Sequence, residues 1–105
     1  MFATRRLLQA CRITLFTREG CGLCDQGKQS LSKVWDRRPF AYVEENVDAK
    51  GSKWRDLYDF DVPVIHISKA ESPSEDVTTA SKAAKLMHRF TPEQVEAKMD
   101  EVEKR

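Results

Sequence analysis

Two cysteines separated by two residues, placed between a strand-like and a helix-like segment, constrain the fold of this chain more than any other feature. The motif Cys21-Gly22-Leu23-Cys24 follows the apolar, β-prone run Ile13–Thr17. Beyond it, small or apolar residues recur at helical spacing, namely Cys24, Gly27, Leu31, Val34 and Trp35. The sequence therefore predicts that the pair lies where a strand ends and a helix begins, with Cys21 at the helix N-terminus.

The predicted position of Cys21 favours a reactive thiol. At a helix N-terminus, free backbone N–H groups and the macrodipole stabilise negative charge. Because the thiolate is the form that attacks disulfides, we expect a pKa for Cys21 below the roughly 8.5 of a free thiol. Cys24, one helical turn further on, is then close enough to attack a mixed disulfide formed by Cys21. The motif thus predicts thiol–disulfide exchange, with Cys21 and Cys24 as the catalytic residues.

Length, charge and cysteine count argue against several other classes of protein. The 105 residues suffice for one domain with its own core. The net charge of +1 gives no argument for a nucleic-acid partner, and no apolar run approaches the roughly 20 residues that span a bilayer. Three cysteines are too few, and odd in number, for a secreted disulfide scaffold, so a reducing compartment fits better. We expect a monomer in the mitochondrion or cytoplasm, without nucleic-acid or membrane partners.

The first eleven residues, MFATRRLLQAC, form a separate segment. They contain Arg5 and Arg6 and no acidic residue, since Glu19 is the first in the chain. Mitochondrial targeting segments share this arginine-rich, acid-poor composition. Two interpretations stay open: a short targeting segment, or a basic tail that leads into the first strand. In both, residues 12–105 form the folded domain.

The remaining chain predicts the element order β-α-β-α-β-β-α. Strands are predicted at Arg12–Thr17, Phe40–Val47, Val64–Ser68 and Ala84–Phe90. Helices are predicted at Gly22–Asp36, around Trp54–Tyr58 after an N-cap at Asp48 or Ser52, and after an N-cap at Thr91. The polar stretch 70–81 is predicted to be an exposed loop.

This order predicts an α/β fold with a four-stranded mixed sheet. A strand–helix–strand start implies a parallel pair joined by a right-handed crossover. The last two strands are expected to form a hairpin, and helices to cover both faces of the sheet. Trp35, Trp54 and Tyr58 lie on the apolar stripes of their helices and are predicted to be core residues.

Two segments are similar to motifs of the glutaredoxin-like group of small eukaryotic proteins, which have the thioredoxin fold. They are Phe16–Cys24, with the sequence FTREGCGLC, and Asp61–Val64, with the sequence DVPV. The resemblance extends over nearly the whole chain. It implies a thioredoxin-like fold in which Cys21 is the nucleophile and Cys24 resolves the mixed disulfide.

The resemblance also implies a substrate site. In this family the proline that matches Pro63 is cis and faces the active site, which exposes the backbone of Val62 to a peptide or to glutathione. Arg18 stands where the family often has lysine, and a cation there can stabilise the thiolate or hold a substrate carboxylate. An ordinary solvated arginine is the alternative for Arg18. The expected substrate-binding residues are therefore Arg18, Val62 and Pro63.

The sequence departs from the family pattern at two places. Gly22-Leu23 replaces the usual Pro-Tyr between the cysteines. The stretch His88–Glu93 replaces Gly-Gly-Ser/Thr-Asp, the segment that holds the glutamyl end of glutathione in the family. We therefore expect glutathione to bind weakly. It is a possible co-substrate, and no cofactor is expected to be bound permanently.

Other reactive side chains have structural interpretations. A CxxC pair is often half of a zinc site, which needs four ligands. The remaining candidates are Cys11, His66 and His88, but a strand of roughly 20 Å separates Cys11 from Cys21. No metal site is therefore predicted. Cys11 is interpreted as a small buried residue, and His66 as a hydrogen-bonded or surface histidine.

Three functions remain under consideration. The first is a thiol–disulfide oxidoreductase that reduces a protein disulfide or a glutathione mixed disulfide. The second is a binding protein, because some glutaredoxin relatives with Cys-Gly at this position hold an iron–sulfur cluster between two subunits together with glutathione. The third is an adaptor that keeps the thioredoxin fold and performs little chemistry.

Overall fold

A four-stranded sheet forms the framework of the computed structural model, which describes residues 10–105. Most of the predicted tail or targeting segment, residues 1–9, lies outside the described residues. The strands are β1 (Cys11–Thr17), β2 (Ala41–Asn46), β3 (Val64–Lys69) and β4 (Ala84–Met87). The helices are α1 (Gly22–Arg37), α2 (Arg55–Tyr58) and α3 (Pro92–Glu103), with a 3-10 helix at Val77–Lys82.

The order and direction of the strands match the predicted α/β fold. Across the sheet the order is β2-β1-β3-β4. β1 and β2 run parallel, with Arg12 opposite Ala41. β3 is antiparallel to both of its neighbours, β1 and β4. The mixed sheet, its parallel first pair and its final hairpin are therefore confirmed.

Alternating strand residues divide the core into two layers. One layer packs α1 and α3 against the sheet through Ile13, Leu15, Leu31, Val34, Ile65, Ile67, Val95, Met99 and Val102. The other layer surrounds Phe16 and consists of Val47, Trp54, Tyr58, Val64 and Ala80. The Phe16 ring centroid lies 4.3 Å from that of Trp54 and 5.2 Å from that of Tyr58. Trp54 and Tyr58 are thus core residues as predicted, and helices cover both faces of the sheet.

The short helix α2 begins without the predicted N-cap. Trp54 precedes its first residue, and the Trp54 side chain forms no capping hydrogen bond. The Ser52 hydroxyl accepts the backbone N–H of Trp54 at 3.2 Å, which lies before the helix. Asp48 forms an ion pair with Arg18 instead. The prediction that Asp48 or Ser52 caps this helix is wrong, because other groups already use both side chains.

Trp35 differs from its prediction as a core residue, since 47% of it is exposed. Its indole N–H donates to the carbonyl of Phe40 at 3.2 Å. Within residues 10–105, β2 is the outermost strand on this side of the sheet, so no further strand covers the ring. The apolar stripe of α1 correctly predicts that Leu31 and Val34 are buried, but it extends past the edge of the sheet at Trp35.

The fourth strand ends three residues earlier than predicted. His88 adopts a φ of 64°, in the left-handed region, and this turns the chain out of the sheet after Met87. Phe90, predicted to continue the strand, is buried against α1 instead. Helix α3 then begins as predicted: the Thr91 hydroxyl accepts the N–H of Gln94, and the Gln94 side chain accepts the N–H of Thr91.

A close approach at Gly27 fixes the position of α1 over the sheet. A Cβ atom at this buried residue would lie 3.0 Å from Cζ of Phe90 and 3.6 Å from Cγ of Pro63. The distance to Pro63 is an ordinary contact, but the distance to Phe90 is tighter than most Cβ contacts, so glycine lets the helix backbone come close to the Phe90 ring. The helix that begins at the cysteine motif is thereby held against the loop that contains Pro63.

The stretch 70–81 differs from the predicted exposed loop. Its second half belongs to the 3-10 helix, in which Ala80 is buried against the Phe16 layer. In its first half, the Glu75 side chain is only 15% exposed, because it turns back onto the sheet. A mostly polar stretch therefore folds onto the protein surface, with its few apolar residues packed against the Phe16 layer.

Glu75 completes a chain of four polar side chains on this face of the sheet. One carboxylate oxygen accepts from Nδ1 of His66 at 2.8 Å, and the other accepts from the Arg12 guanidinium at 2.7 Å. Nε2 of His66 lies 2.6 Å from the Tyr58 hydroxyl. Hydrogen bonds from His66 and Arg12 lower the pKa of Glu75, against the opposing effect of burial. Buried His66 is thus hydrogen-bonded, as one of its two predicted interpretations required.

We predict that Glu75→Gln lowers the free energy of unfolding by about 1–2 kcal/mol at pH 7. Because the pKa of Glu75 is lowered, the carboxylate stabilises the fold above its unfolded-state pKa, and this contribution is lost as the pH falls through the folded-state pKa. Urea unfolding at pH 7 and in acid measures both effects. The matched control is Glu71→Gln, at an exposed residue of the same stretch. Equal stability of the two variants at pH 7 would contradict the prediction.

We also predict that Gly27→Val destabilises the fold by about 1–3 kcal/mol through overpacking. The added side chain meets the Phe90 ring, which is buried and has little room to move. Gly22→Val, in the same helix, is the control, since nothing lies within 4 Å of a Cβ atom there. Urea unfolding measures the free energy of unfolding of the two variants and so tests the prediction. A Gly27→Val protein as stable as Gly22→Val would show that the approach of α1 is not tight.

Candidate active site

The cysteine motif lies at the junction between β1 and α1, as predicted. Cys21 is the N-cap residue of α1, in an extended backbone conformation with φ −101° and ψ 107°. Its sulfur accepts the backbone N–H of Cys24 at 3.1 Å. The two sulfurs lie at disulfide-bonding distance, and their Cα atoms are 5.2 Å apart. The motif therefore places two cysteine sulfurs at bonding distance, and the first sulfur receives a hydrogen bond from the start of the helix.

The two cysteines differ in their access to solvent. Cys21 is partly exposed, whereas Cys24 is buried, with only 1% of its surface accessible. Cys24 belongs to the buried face of α1, together with Gly27, Leu31 and Val34. A bulky substrate can thus approach Cys21 directly, while Cys24 reacts most easily with a sulfur already attached to Cys21.

The loop before β3 has the cis peptide bond that the resemblance implied. The bond between Val62 and Pro63 is cis, which confirms that prediction. The Pro63 ring packs beside α1 at Gly27, three residues after Cys24. The Pro63 carbonyl accepts the backbone N–H of His88 at 2.7 Å, and Val62 remains partly exposed. Pro63 is therefore fixed between the cysteine-bearing helix and the end of β4.

Arg18 is held by two carboxylates that the sequence analysis did not single out. Its guanidinium lies 2.6 Å from Asp59 and 3.1 Å from Asp48. The hydrogen bond to Asp59 raises the pKa of Arg18, so the side chain stays charged. These ion pairs tie the segment before Cys21 to the loop after β2, through Asp48, and to the turn after α2, through Asp59. The roles predicted for Arg18, toward the thiolate or toward a substrate, stay predictions.

Cys11 has the features of a structural residue. It begins β1, is 1% exposed, and its sulfur lies 3.6 Å from a carboxylate oxygen of Glu103. Burial, followed by the charge of Glu103, raises the pKa of Cys11 to about 11. A thiol with that pKa is protonated near neutral pH, so it does not attack disulfides. This agrees with the interpretation of Cys11 as a small buried side chain.

A cavity of about 350 Å3 adjoins the site between α1 and the start of α3. It is lined by Gln26, Gly27, Ser30, His88, Arg89, Phe90, Thr91 and Gln94. Four of these lining residues, His88, Arg89, Phe90 and Thr91, belong to the stretch that replaces the family's glycine pair. Nε2 of His88 approaches Asp61 at 3.5 Å and so links this stretch to the cis-proline loop. No local sequence pattern predicts the contact between His88 and Asp61, because two separate loops contribute them.

Within residues 10–105, no group of three or more His, Cys, Asp or Glu side chains is placed to hold a metal ion. The longest helix there, α1, has 16 residues, and no helix combines the length and apolarity needed to cross a bilayer.

Comparison with known proteins supports the same fold. The family model of the glutaredoxin-like domain (DUF836) matches residues 12–100. The X-ray structure of a protein from X. campestris has 22% sequence identity and a TM-score of 0.60, and the match covers 85% of this chain and 96% of that one. A solution NMR structure from Nitrosomonas europaea has 20% identity and a TM-score of 0.60, with coverage of 85% and 91%.

Thioredoxins are similar as well. The crystal structure of chloroplastic thioredoxin z has 18% identity and a TM-score of 0.66, with 98% of this chain and 84% of that chain covered. At such identities the likeness shows the thioredoxin fold, and the cysteine pair at disulfide distance supports a thiol–disulfide redox role. Since the family model covers most of its length, this chain belongs to the glutaredoxin-like domain family.

Proposed function

We propose that this protein is a thiol–disulfide oxidoreductase that reduces disulfides through Cys21 and Cys24. The observation that carries the proposal is the asymmetry of the pair. Cys21 is partly exposed and caps α1, whereas the buried Cys24 lies at bonding distance from it. The hydrogen bond from the N–H of Cys24 to the Cys21 sulfur favours a thiolate there, because it stabilises negative charge.

The proposed reaction has two exchange steps. The Cys21 thiolate attacks one sulfur of the substrate disulfide, the substrate S–S bond breaks, and the first substrate thiolate leaves and takes up a proton. Cys24 then loses its proton to solvent and attacks the Cys21 sulfur, which releases the second substrate thiol. Two electrons pass from the protein dithiol to the substrate, and the protein is left with a Cys21–Cys24 disulfide. Glutathione or a reductase must reduce this bond before the next cycle.

The substrate is proposed to lie along the cis-proline loop. Val62 is partly exposed beside Pro63, so its backbone is available to pair with an extended peptide. Arg18 is the proposed partner for a substrate carboxylate. The proposed substrates are a protein disulfide or a glutathione mixed disulfide, and the proposed location is a reducing compartment, mitochondrial or cytoplasmic. Iron–sulfur binding and an adaptor role stay hypotheses, since no contact in residues 10–105 favours them.

We predict different outcomes for the two cysteine variants. Cys21→Ser abolishes the reduction of bis(2-hydroxyethyl) disulfide, because no accessible nucleophile remains. Cys24→Ser still forms the mixed disulfide but cannot release it, so the adduct accumulates and is seen by mass spectrometry. Cys11→Ala is the matched control, because its raised pKa excludes Cys11 from the chemistry, and it retains the wild-type rate. An adduct on the Cys21→Ser protein, or no adduct on the Cys24→Ser protein, would contradict the assigned roles.

We predict weak binding of glutathione, because the start of α3 has few free donors for its glutamyl carboxylate. The N–H of Thr91 is bonded to the Gln94 side chain, and the N–H of Gln94 to the Thr91 hydroxyl. Pro92 has no N–H group. Of the N–H groups in the first turn, only that of Glu93 is left to bind the glutamyl carboxylate. The side-chain carboxylate of Glu93 repels such an anionic ligand.

The measurement is mixed-disulfide formation by Cys24→Ser with glutathione disulfide and, as the neutral comparison, bis(2-hydroxyethyl) disulfide. We expect the rate with glutathione disulfide to rise linearly with concentration, without saturation in the millimolar range. Saturation at low concentration, with an efficiency typical of glutaredoxins, would show that the missing glycine pair is dispensable.

A further inference from the structure

Phe60 is the most exposed large apolar side chain among residues 10–105. Its exposed fraction is 91%, whereas the other exposed large apolar residues, Trp35, Tyr42, Val43 and Leu57, range from 39% to 47%. Single apolar side chains at a surface are common and need no explanation by themselves. The position of Phe60, and the contacts that hold its neighbours, make it distinctive.

Phe60 lies at the tip of a turn whose other residues are all held in place. The backbone N–H of Asp61 donates to the carbonyl of Tyr58 at 3.1 Å and closes the turn. The Tyr58 hydroxyl lies 2.6 Å from Nε2 of His66, which fixes the turn to β3 from below. Tyr58 also stacks on Trp54, with parallel rings 5.9 Å apart. Tyr58, two residues before Phe60 in the chain, is therefore anchored in the core.

The two aspartates that flank Phe60 are anchored as well. Asp59 forms an ion pair with Arg18 at 2.6 Å, and Asp61 lies 3.5 Å from Nε2 of His88. The ion pair with Arg18 ties the turn to the segment before Cys21, and Asp61 faces His88 at the end of β4. The Phe60 ring itself is exposed and can contact another molecule.

This turn adjoins the proposed substrate site. Arg18, the partner of Asp59, is three residues before Cys21, and Val62 is two residues after Phe60. A polypeptide that pairs with the Val62 backbone and presents a disulfide to Cys21 therefore passes beside Phe60. We propose that Phe60 is an apolar anchor for the substrate chain, so that the enzyme prefers polypeptide disulfides with an apolar residue near the cysteine. This inference rests on the proposed function.

The charges around Phe60 favour a polypeptide over a lipid surface. Three aspartates, Asp56, Asp59 and Asp61, lie near it in sequence. Two cations offset them in part, namely Arg55 in the same segment and Arg18, which pairs with Asp59. An acidic setting is repelled by anionic membranes, whereas membrane-binding surfaces are typically rich in lysine and arginine. A rigid aromatic side chain that protrudes from a fixed turn is, in contrast, a common anchor in protein–protein contacts.

The test compares two peptide disulfides with a small disulfide in single-turnover reactions. The peptides have the same length, and each has one cysteine joined to 2-mercaptoethanol. One has leucine and phenylalanine beside the cysteine, and the other has serine at the same places. The small disulfide is bis(2-hydroxyethyl) disulfide. Pre-reduced protein is mixed with each, and loss of protein thiols after alkylation gives second-order rate constants.

We expect the wild type to react faster with the apolar peptide than with the serine peptide. In Phe60→Ser, the ratio of the rate constants for the apolar peptide and the small disulfide falls by about five- to tenfold, because partial burial of the ring is lost. Phe60→Leu retains most of the ratio, since it keeps an apolar side chain. Val43→Thr, at an exposed apolar residue of the edge strand, leaves the ratio unchanged.

Three results would overturn the inference. The first is an unchanged ratio in Phe60→Ser, and the second is an equal loss of rate with all three disulfides, which would place the effect at the cysteines. The third is Phe60-dependent sedimentation with phosphatidylcholine–phosphatidylserine vesicles together with an unchanged ratio, which would assign Phe60 to a membrane contact. A wild type inert toward bis(2-hydroxyethyl) disulfide removes the proposed function itself, whereas a reactive wild type without a Phe60 effect removes only this inference.

Discussion

The approach of α1 to the cis-proline loop at Gly27 is the contact on which the arrangement of the site depends. A dithiol alone needs only a helix N-terminus, but exchange with a substrate requires the cysteines and the substrate-pairing backbone to be placed together. Gly27 brings the cysteine-bearing helix and the cis-proline loop together, because the rings of Pro63 and Phe90 pack against the helix backbone at this residue. Phe90 in turn follows the left-handed residue His88, whose N–H is bonded to the Pro63 carbonyl. Three separate segments therefore meet at one position without a side chain.

The opposite face of the sheet supports the same loop by different means. There the buried chain of Tyr58, His66, Glu75 and Arg12 joins α2, β3, the 70–81 stretch and β1. Buried polar groups are stabilising only when each has its partners, so the four side chains act as a unit. The carbonyl of Tyr58 closes the turn that contains Phe60. The chain of hydrogen bonds therefore connects the 70–81 stretch with the turn beside the proposed substrate site.

Local signals in the sequence predicted much of this molecule. The alternation of strand and helix patterns predicted the order of the elements, the parallel first pair and the final hairpin, and the position of Cys21 at the start of α1 followed from residues close to it in the chain. The errors arose where distant segments decide the outcome. Trp35 continues an apolar stripe, and only the strand order shows that the sheet ends beneath it. Likewise, the sequence around Glu75 is polar throughout, and nothing local indicates that its carboxylate meets His66.

The contribution of Arg18 to the electrostatics of Cys21 depends on the partners of Arg18, which the residue type alone does not show. Arg18 has the right charge to stabilise a thiolate, yet Asp59 and Asp48 already pair with it. A cation shared between two carboxylates adds little field at a further anion, and solvent screens partly exposed pairs. The donor in contact with the Cys21 sulfur is instead the backbone N–H of Cys24, at 3.1 Å. We therefore propose that the reactivity of Cys21 depends first on its position as the N-cap of α1, while the roles predicted for Arg18 stay predictions.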